Sequence, residues 1–200
     1  MNTITTTLVT TATFSDDGKK RYLLSKQWDE SKPKLAVIML APSIAAGIEL
    51  DASSQLCLNN SCRLGYGSIS ITNLFATLND FELKQAEVED PENIDVIVQA
   101  ASAADCIVYA AGVGKAKNKT FQKRQEQVLK ALLPYEEKLH CLYSVNGGGR
   151  LQHPLSPAVR TWALSPLRVS EVIGEPPKVD AEPEQKKRGR GRPAKTVTAE

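Results

Sequence analysis

A short basic run near the end of the chain has the clearest chemistry in the sequence. Its core is Arg190-Gly191-Arg192-Pro193, and the basic residues before it are Lys186, Lys187 and Arg188. Gly191 has no side chain to hold the backbone away from a narrow groove, so the arginines beside it can extend into the strongly negative minor groove of A·T-rich DNA. Pro193 favours an extended backbone, and the flanking bases can neutralise phosphates. This run therefore predicts contact with DNA.

The same residues resemble the AT-hook, whose Arg-Gly-Arg-Pro core is present at positions 190–193. The resemblance implies A·T-rich DNA as a partner. A single hook binds weakly and acts as a tether that raises the local concentration of the rest of the chain. A solvated basic tail or a localisation signal is the alternative interpretation. Residues 175–200 are rich in proline and charge and lack the apolar residues of a core, so we expect them to be disordered.

The charge of the chain is unevenly distributed. The 200 residues include 25 Lys and Arg against 23 Asp and Glu, and residues 1–174 carry equal numbers of the two kinds. The net positive charge therefore lies entirely in residues 175–200. We expect a folded domain over 1–174 and a basic tail over 175–200. The neutral balance of the domain does not indicate an extensive nucleic-acid surface.

Short apolar runs alternate with amphipathic segments through the domain. We expect buried strands at 35–40, 68–75, 106–111 and 140–145, and helices at 53–64, 93–104, 120–133 and 157–164. A Thr-rich segment at 5–14, a turn at 15–18 and residues 21–24 predict an N-terminal β-hairpin. This order predicts an α/β fold in which a mainly parallel four-stranded sheet lies between layers of helices.

In such a sheet, the loops beyond the carboxyl ends of the strands meet at one edge, where ligands bind. Here those loops span 41–51, 73–80, 112–119 and 146–156. Basic residues near the third loop are compatible with phosphate contacts or with an ordinary solvated face. They are Lys115, Lys117, Lys119, Lys123 and Arg124.

The composition argues against several classes of protein. The four cysteines form no C-x-x-C pair, and both histidines are distant from Cys57 and Cys62 in sequence, so we expect no metal site. Gly112-Val113-Gly114 is not a complete dinucleotide fingerprint, and we expect no cofactor. We also expect no signal peptide, because residues 1–13 are polar and rich in threonine, and no membrane span, because no apolar run is long enough for a bilayer. We therefore expect a soluble cytoplasmic protein without membrane contact, associated with the nucleoid or with viral DNA if the tail binds DNA.

Four segments at the predicted edge carry a resemblance to a known family. They are residues 38–43, Gly65-Tyr66-Gly67 with the strand that follows it to Phe75, residues 110–114, and His153-Pro154-Leu155-Ser156. With Arg21-Tyr22, Trp28 and Asp51, they resemble the family called domain of unknown function 1643, over roughly residues 14–166. The family usually has Asn-Pro-Ser where this chain has Ala41-Pro42-Ser43. This resemblance implies no particular reaction.

The same segments are more distantly similar to the uracil-DNA glycosylase superfamily. In that superfamily a Pro-containing loop, a strand that ends in Asn and a His-Pro-Ser-like loop follow one another in this order. The resemblance implies a pocket that grips an extruded base. Pro42, Ser43 and Asn73 would bind the base, with the Asn73 amide pairing with its edge. Phe75 or Tyr66 would stack on it.

The superfamily resemblance also implies catalytic roles. His153 would stabilise charge that develops on the departing base. In that superfamily a carboxylate or amide of the first loop normally positions the attacking water. Ala41 has no such group, so Asp51 is the nearest alternative and Glu49 is a weaker one. Each residue also has a plainer interpretation. Asp51 and Asn73 are suited to cap helices or turns, the aromatic residues are suited to a core, and His153 before Pro154 is also compatible with a satisfied loop histidine.

The sequence thus favours a DNA-associated protein whose glycosylase-like domain recognises a nucleobase or modified base, and which would be a hydrolase if it also excises that base. The ligand would be a nucleobase or a nucleotide. One alternative is a non-enzymatic DNA-binding or protein-interaction module that uses the same crevice. Another is an enzyme that acts on free nucleotides and carries an incidental tail.

Overall fold

A computed structural model describes residues 1–78, 82, 88–113, 117–144 and 149–174 of the chain. The predicted DNA-binding tail, from Lys186 through Arg188, Arg190, Gly191 and Arg192 to Pro193, lies outside the described residues. So do parts of three predicted edge loops, including Gly114, Lys115 and residues 145–148.

A seven-stranded mixed sheet forms the centre of the fold, with strand order β1-β2-β4-β3-β5-β6-β7. The strands are β1 (Val9–Phe14), β2 (Arg21–Gln27), β3 (Lys34–Met39), β4 (Ser68–Asn73), β5 (Cys106–Tyr109), β6 (Leu139–Tyr143) and β7 (Ala163–Pro166). The central strands β4, β3, β5 and β6 are parallel, as their apolar runs predicted. The sheet is larger than the four strands expected, because the antiparallel hairpin of β1 and β2 extends one side of it and β7 extends the other.

Four α-helices accompany the strands in the described ranges: α1 (Ala52–Arg63), α2 (Pro91–Ala103), α3 (Lys119–Ala131) and α4 (Val169–Ile173). Cys57 of α1 packs with alternate residues of the central strands, including Val37. Ile97 of α2 and Val128 of α3 pack with the intervening residues, such as Ile38. Because successive strand residues point to opposite faces, α1 covers one face of the sheet and α2 and α3 cover the other.

Side-chain caps explain where the three longer helices begin. Asp51, Asp90 and Asn118 each accept a hydrogen bond from the backbone N–H three residues further on. Such N-caps satisfy donors that have no partner inside the helix. The helices therefore start one or two residues before their predicted positions.

The prediction of a helix at 157–164 is wrong. A 3-10 turn at Pro157–Val159 leads into β7, whose Leu164 is paired with Leu142 on β6. Strand β6 would otherwise end the sheet with unpaired backbone groups, and the returning chain pairs with them. The predicted start of the first strand is also corrected. Val9 already pairs with Gln27, the last residue of β2, so residues 5–8 have no partner strand.

The carboxyl ends of the parallel strands meet at one edge of the sheet, as expected for this topology. The chain runs from β3 through α1 to β4 on one side, and from β5 through α3 to β6 on the other. None of the helices in the described ranges combines the length and apolar character that a bilayer crossing requires.

Candidate functional site

The first edge loop, residues 41–51, is fixed at both ends. Pro42 is buried near the end of β3, after Leu40 and Ala41, and Asp51 is the N-cap of α1. Asp51 accepts hydrogen bonds from the Ser43 hydroxyl, from the Ser54 N–H at 2.8 Å and from the Ser54 hydroxyl at 3.1 Å. Although burial acts to raise the pKa of Asp51, these hydrogen bonds outweigh it and hold the pKa below its usual value. Asp51 is therefore an ionised, well-anchored carboxylate.

A pocket of about 330 Å³ opens beside this carboxylate, and we call it the polar pocket. Its walls come from the end of β3, the first loop, the start of α1 and the fourth loop. Met39, Ala41, Ser43, Asp51, His153 and Leu155 are among its lining residues. The structure thus brings together three of the predicted site residues: Ser43 and Asp51 of the first loop, and His153, which lies far from them in sequence.

His153 faces this pocket as a neutral ring with a defined tautomer. The backbone N–H of Leu155 donates to its Nδ1 at 3.2 Å, so the proton of the neutral imidazole lies on Nε2. Burial lowers the pKa of His153, and the nearby Asp51 carboxylate only partly offsets this effect, so the net shift is downward. At neutral pH His153 therefore offers an N–H donor without a positive charge.

A glycine in the third loop allows His153 to sit where it does. Gly112 has a φ of +78°, and a Cβ built on it would lie 3.1 Å from the His153 Cβ. A side chain at this position would both strain the backbone and press on the histidine. The third and fourth loops therefore approach each other closely at the edge of the sheet.

Asn73, the last residue of β4, lies beside the polar pocket without lining it. It is the register partner of Met39, so the two side chains are on the same face of the sheet. Asn73 is only 1% exposed, and within the described part of the chain neither its Oδ1 nor its Nδ2 has a hydrogen-bond partner. A buried amide of this kind costs free energy unless something else satisfies it. Its donor and acceptor lie next to Met39, a lining residue of the polar pocket, and a ligand that reached them would satisfy both.

Two buried cations support the first loop from below. Arg21 Nη1 donates to the carbonyl oxygens of Ser43 at 2.9 Å and Ala45 at 2.6 Å. Lys26 Nζ donates to the carbonyl oxygen of Gly47 at 2.8 Å and to Thr10 Oγ1 at 3.0 Å. Both cations are 1% exposed, and burial lowers the pKa of each. They fix the loop that carries Ser43.

An irregularity in β2 turns Arg21 toward this loop. Thr13 pairs with Leu23, but Phe14 pairs with Arg21, so Tyr22 is an extra residue on β2. Such a bulge re-aims the side chains next to it. The Tyr22 hydroxyl donates to Glu92 of α2 at 2.6 Å, whereas Arg21 and Lys26 both reach the first loop.

Comparison with known families places these residues in context. Residues 21–155 match the family described as Protein of unknown function (DUF1643). The chain belongs to this family. No curated protein and no solved structure matches the chain significantly. The DUF1643 region begins at Arg21 and ends at Leu155, so it contains all the residues of the polar pocket named above and excludes both β1 and β7.

The two aromatic residues expected to stack on a base lie elsewhere in the DUF1643 region. Phe75 is buried in the core on the α2 and α3 face of the sheet. Tyr66 precedes β4 and hydrogen-bonds Cys106, the first residue of β5, so it lies at the amino ends of the parallel strands. Neither lines the polar pocket, and we do not include them in the site.

The basic residues near the third loop have separate environments. Arg124 is fully buried and donates to the carbonyl oxygens of Leu74 at 2.6 Å and Val88 at 3.0 Å, so it ties α3 to the segment after β4. Lys123 pairs with Glu89 at 2.8 Å on the surface. Arg124 is thus a structural residue, which neither predicted interpretation anticipated. In the described ranges, no group of three or more His, Cys, Asp or Glu side chains could hold a metal ion.

Proposed function

We propose that the polar pocket recognises a nucleobase and that the C-terminal basic run holds the protein on A·T-rich DNA. The observation that carries the first part is the set of hydrogen-bonding groups that line the pocket, together with the buried Asn73 amide beside it. The buried Asn73 amide lacks partners at both its donor and its acceptor among the described residues. A base edge carries donors and acceptors in a plane and can satisfy both.

The walls of the pocket add complementary groups. The Ser43 hydroxyl gives its proton to Asp51, so its oxygen is left as an acceptor beside the carboxylate. Across the pocket, His153 offers its Nε2 proton. The site therefore suits a base whose edge places a carbonyl oxygen next to an N–H group. The distant similarity to uracil-DNA glycosylases supports the same ligand class.

The environment of Asp51 favours recognition over excision. Its two oxygens already accept three hydrogen bonds from Ser43 and Ser54. A carboxylate with this many donors and a lowered pKa is a weak base for a water molecule. Ala41, in the position where the superfamily places a water-binding side chain, cannot replace it. Catalysis by His153 and Asp51 stays a prediction, and our proposal ends at binding.

The first experiment measures binding of the full chain to short DNA duplexes that differ at one position, using normal and modified bases there. We expect a preference of about 1–3 kcal/mol for one base by fluorescence anisotropy. Ser43→Ala and His153→Ala should remove the preference. Ser102→Ala, on the exposed end of α2, and His140→Ala, at the start of β6, should leave it unchanged. Equal binding to every base would contradict the proposal.

The same samples test excision directly. Each duplex is scored for abasic sites after incubation with the parent protein and with His153→Ala. We expect none. Abasic sites that form with the parent, but not with the variant, would replace recognition with base excision as the function of the pocket.

The DNA tether is tested on the tail itself. Removal of residues 175–200 should weaken binding and reduce its salt dependence, because phosphate contacts release counterions. Gly191→Ala keeps every charge but adds a methyl group where the groove is narrow, so it should reduce the preference for A·T-rich over G·C-rich duplexes. Gly189→Ala is the matched control. If the two glycine variants behave alike, the run is only a basic tail.

A further inference from the structure

A second pocket adjoins the polar pocket at the same edge of the sheet. Its volume is about 380 Å³, and we call it the switch-point pocket. Leu40 follows β3, and Ala111 and Gly112 follow β5, so the pocket lies between the carboxyl ends of these two strands. Val113 and Leu155 form its outer walls.

The topology makes this a favoured place for a ligand. After β3 the chain moves to β4, whereas after β5 it moves to β6 on the opposite side. The two connections leave in opposite directions, which opens a crevice between the strands outside their carboxyl ends. Ligands of open α/β sheets bind in such crevices.

The two pockets share a wall but differ in chemistry. His153 and Leu155 line both of them. Below this wall, the consecutive residues Leu40 and Ala41 line the switch-point pocket and the polar pocket respectively. The polar pocket presents hydroxyl and carboxylate groups. The switch-point pocket presents mainly aliphatic side chains and backbone, with Gln152 and Ser156 as further polar lining residues.

We propose that the switch-point pocket binds the deoxyribose of the nucleotide whose base occupies the polar pocket. This inference rests on the proposed function. A deoxynucleoside has a planar hydrogen-bonding base joined by one bond to a saturated sugar ring. The C–H face of that ring suits the aliphatic wall of the switch-point pocket, and its hydroxyls suit the polar Ser156 at the same pocket. The joining bond then passes His153, the polar residue that both pockets share.

The test compares free bases with the corresponding deoxynucleosides by NMR titration of the full chain. For the base that binds, we expect the deoxynucleoside to bind about tenfold more tightly. Val113→Trp, at a position 51% exposed, should fill the switch-point pocket and erase that difference while the free base binds as before. Leu133→Trp, at a position 44% exposed and outside both pockets, is the matched control and should retain the difference.

Each result has a distinct meaning. Equal affinities of base and deoxynucleoside for the parent would overturn the sugar subsite and leave nucleobase recognition intact. The same conclusion follows if Val113→Trp lowers the affinity for the free base and for the deoxynucleoside equally, or lowers neither. If no base and no deoxynucleoside binds, the proposed function and the subsite fall together.

Discussion

Replacing Asn73 with leucine should make the protein more stable and remove its base preference. The amide is 1% exposed, and neither of its polar atoms has a partner among the described residues. A buried polar atom without a partner costs about 1–3 kcal/mol. Leucine has the same branching and would add apolar contact with Met39 and Ile71, the neighbours on this face of the sheet. The larger methyl groups reduce the gain, because tight packing opposes added volume.

We therefore expect Asn73→Leu to raise the free energy of unfolding by about 1 kcal/mol, which is a rise of about 2–4 °C in Tm for a chain of this size. The matched substitution Asn93→Leu should have the opposite sign. Asn93 Nδ2 donates to the carbonyl oxygens of Asn73 and Leu74, each at 3.1 Å. The Leu74 oxygen would keep Arg124 as a donor, but the Asn73 oxygen would lose this one. Its cost should be about 2 kcal/mol.

Chemical denaturation of the parent and both variants measures the stability change, and anisotropy with the preferred duplex measures the base preference. A lower midpoint for Asn73→Leu than for the parent would refute the reasoning, because the amide would then be satisfied in the absence of ligand. A higher midpoint with an unchanged base preference would instead separate Asn73 from the site.

Three further expectations follow from the same edge of the sheet. Gly112→Ala should destabilise the protein by about 1–2 kcal/mol and weaken base binding. Gly149 has a φ of +61° and no atom within 4 Å of an added Cβ, so Gly149→Ala should lose only the stability that corresponds to backbone strain. Thermal melts and anisotropy compare the two variants. An NMR titration should give His153 a pKa below its reference value of 6.5. Because the unfolded chain then binds the proton more readily than the folded protein, the stability that His153 contributes should fade as the pH drops below 6.5. This part of the pH dependence should be reduced in His153→Gln. In denaturation experiments, Asp51→Ala should lower the free energy of unfolding by about 1–2 kcal/mol at neutral pH. This difference should shrink below pH 3.8, as the pH falls through the lowered pKa of Asp51. A difference that stays the same in acid would show that the charge of Asp51 does not contribute.

The central fold and the meeting of the edge loops were accessible from the sequence. The apolar runs around Val37 and Val108 have the length of buried parallel strands, and the direction of such strands dictates that the loops after them converge. Asp51 before Ala52-Ser53-Ser54 has the pattern of an N-cap, and that interpretation is confirmed. Local signals were sufficient in these cases because the responsible interactions lie within a few residues.

The features that sequence reasoning missed depend on distant partners. Lys26 lies two residues after Leu24 on a strand, so the alternation of strand residues could have placed both on the buried face. Lysine is nevertheless expected to be exposed unless acceptors for its ammonium group are known. Those acceptors come from Gly47 and Thr10 in other segments. Strand β7 was missed for a similar reason. Its residues form a strand because they pair with the backbone of β6, a partner that is distant in sequence.

The N-terminal hairpin also defines the smallest unit that should be kept when the protein is shortened. A fragment trimmed to the DUF1643 boundary at Arg21 would lack β1 and with it Thr10, which shares the Lys26 ammonium with the first loop. Without β1, β2 would become an edge strand with unpaired backbone groups, which can pair with strands of other chains. A fragment that begins ahead of Val9 avoids both problems, so the folding unit is longer than the stretch that defines the family.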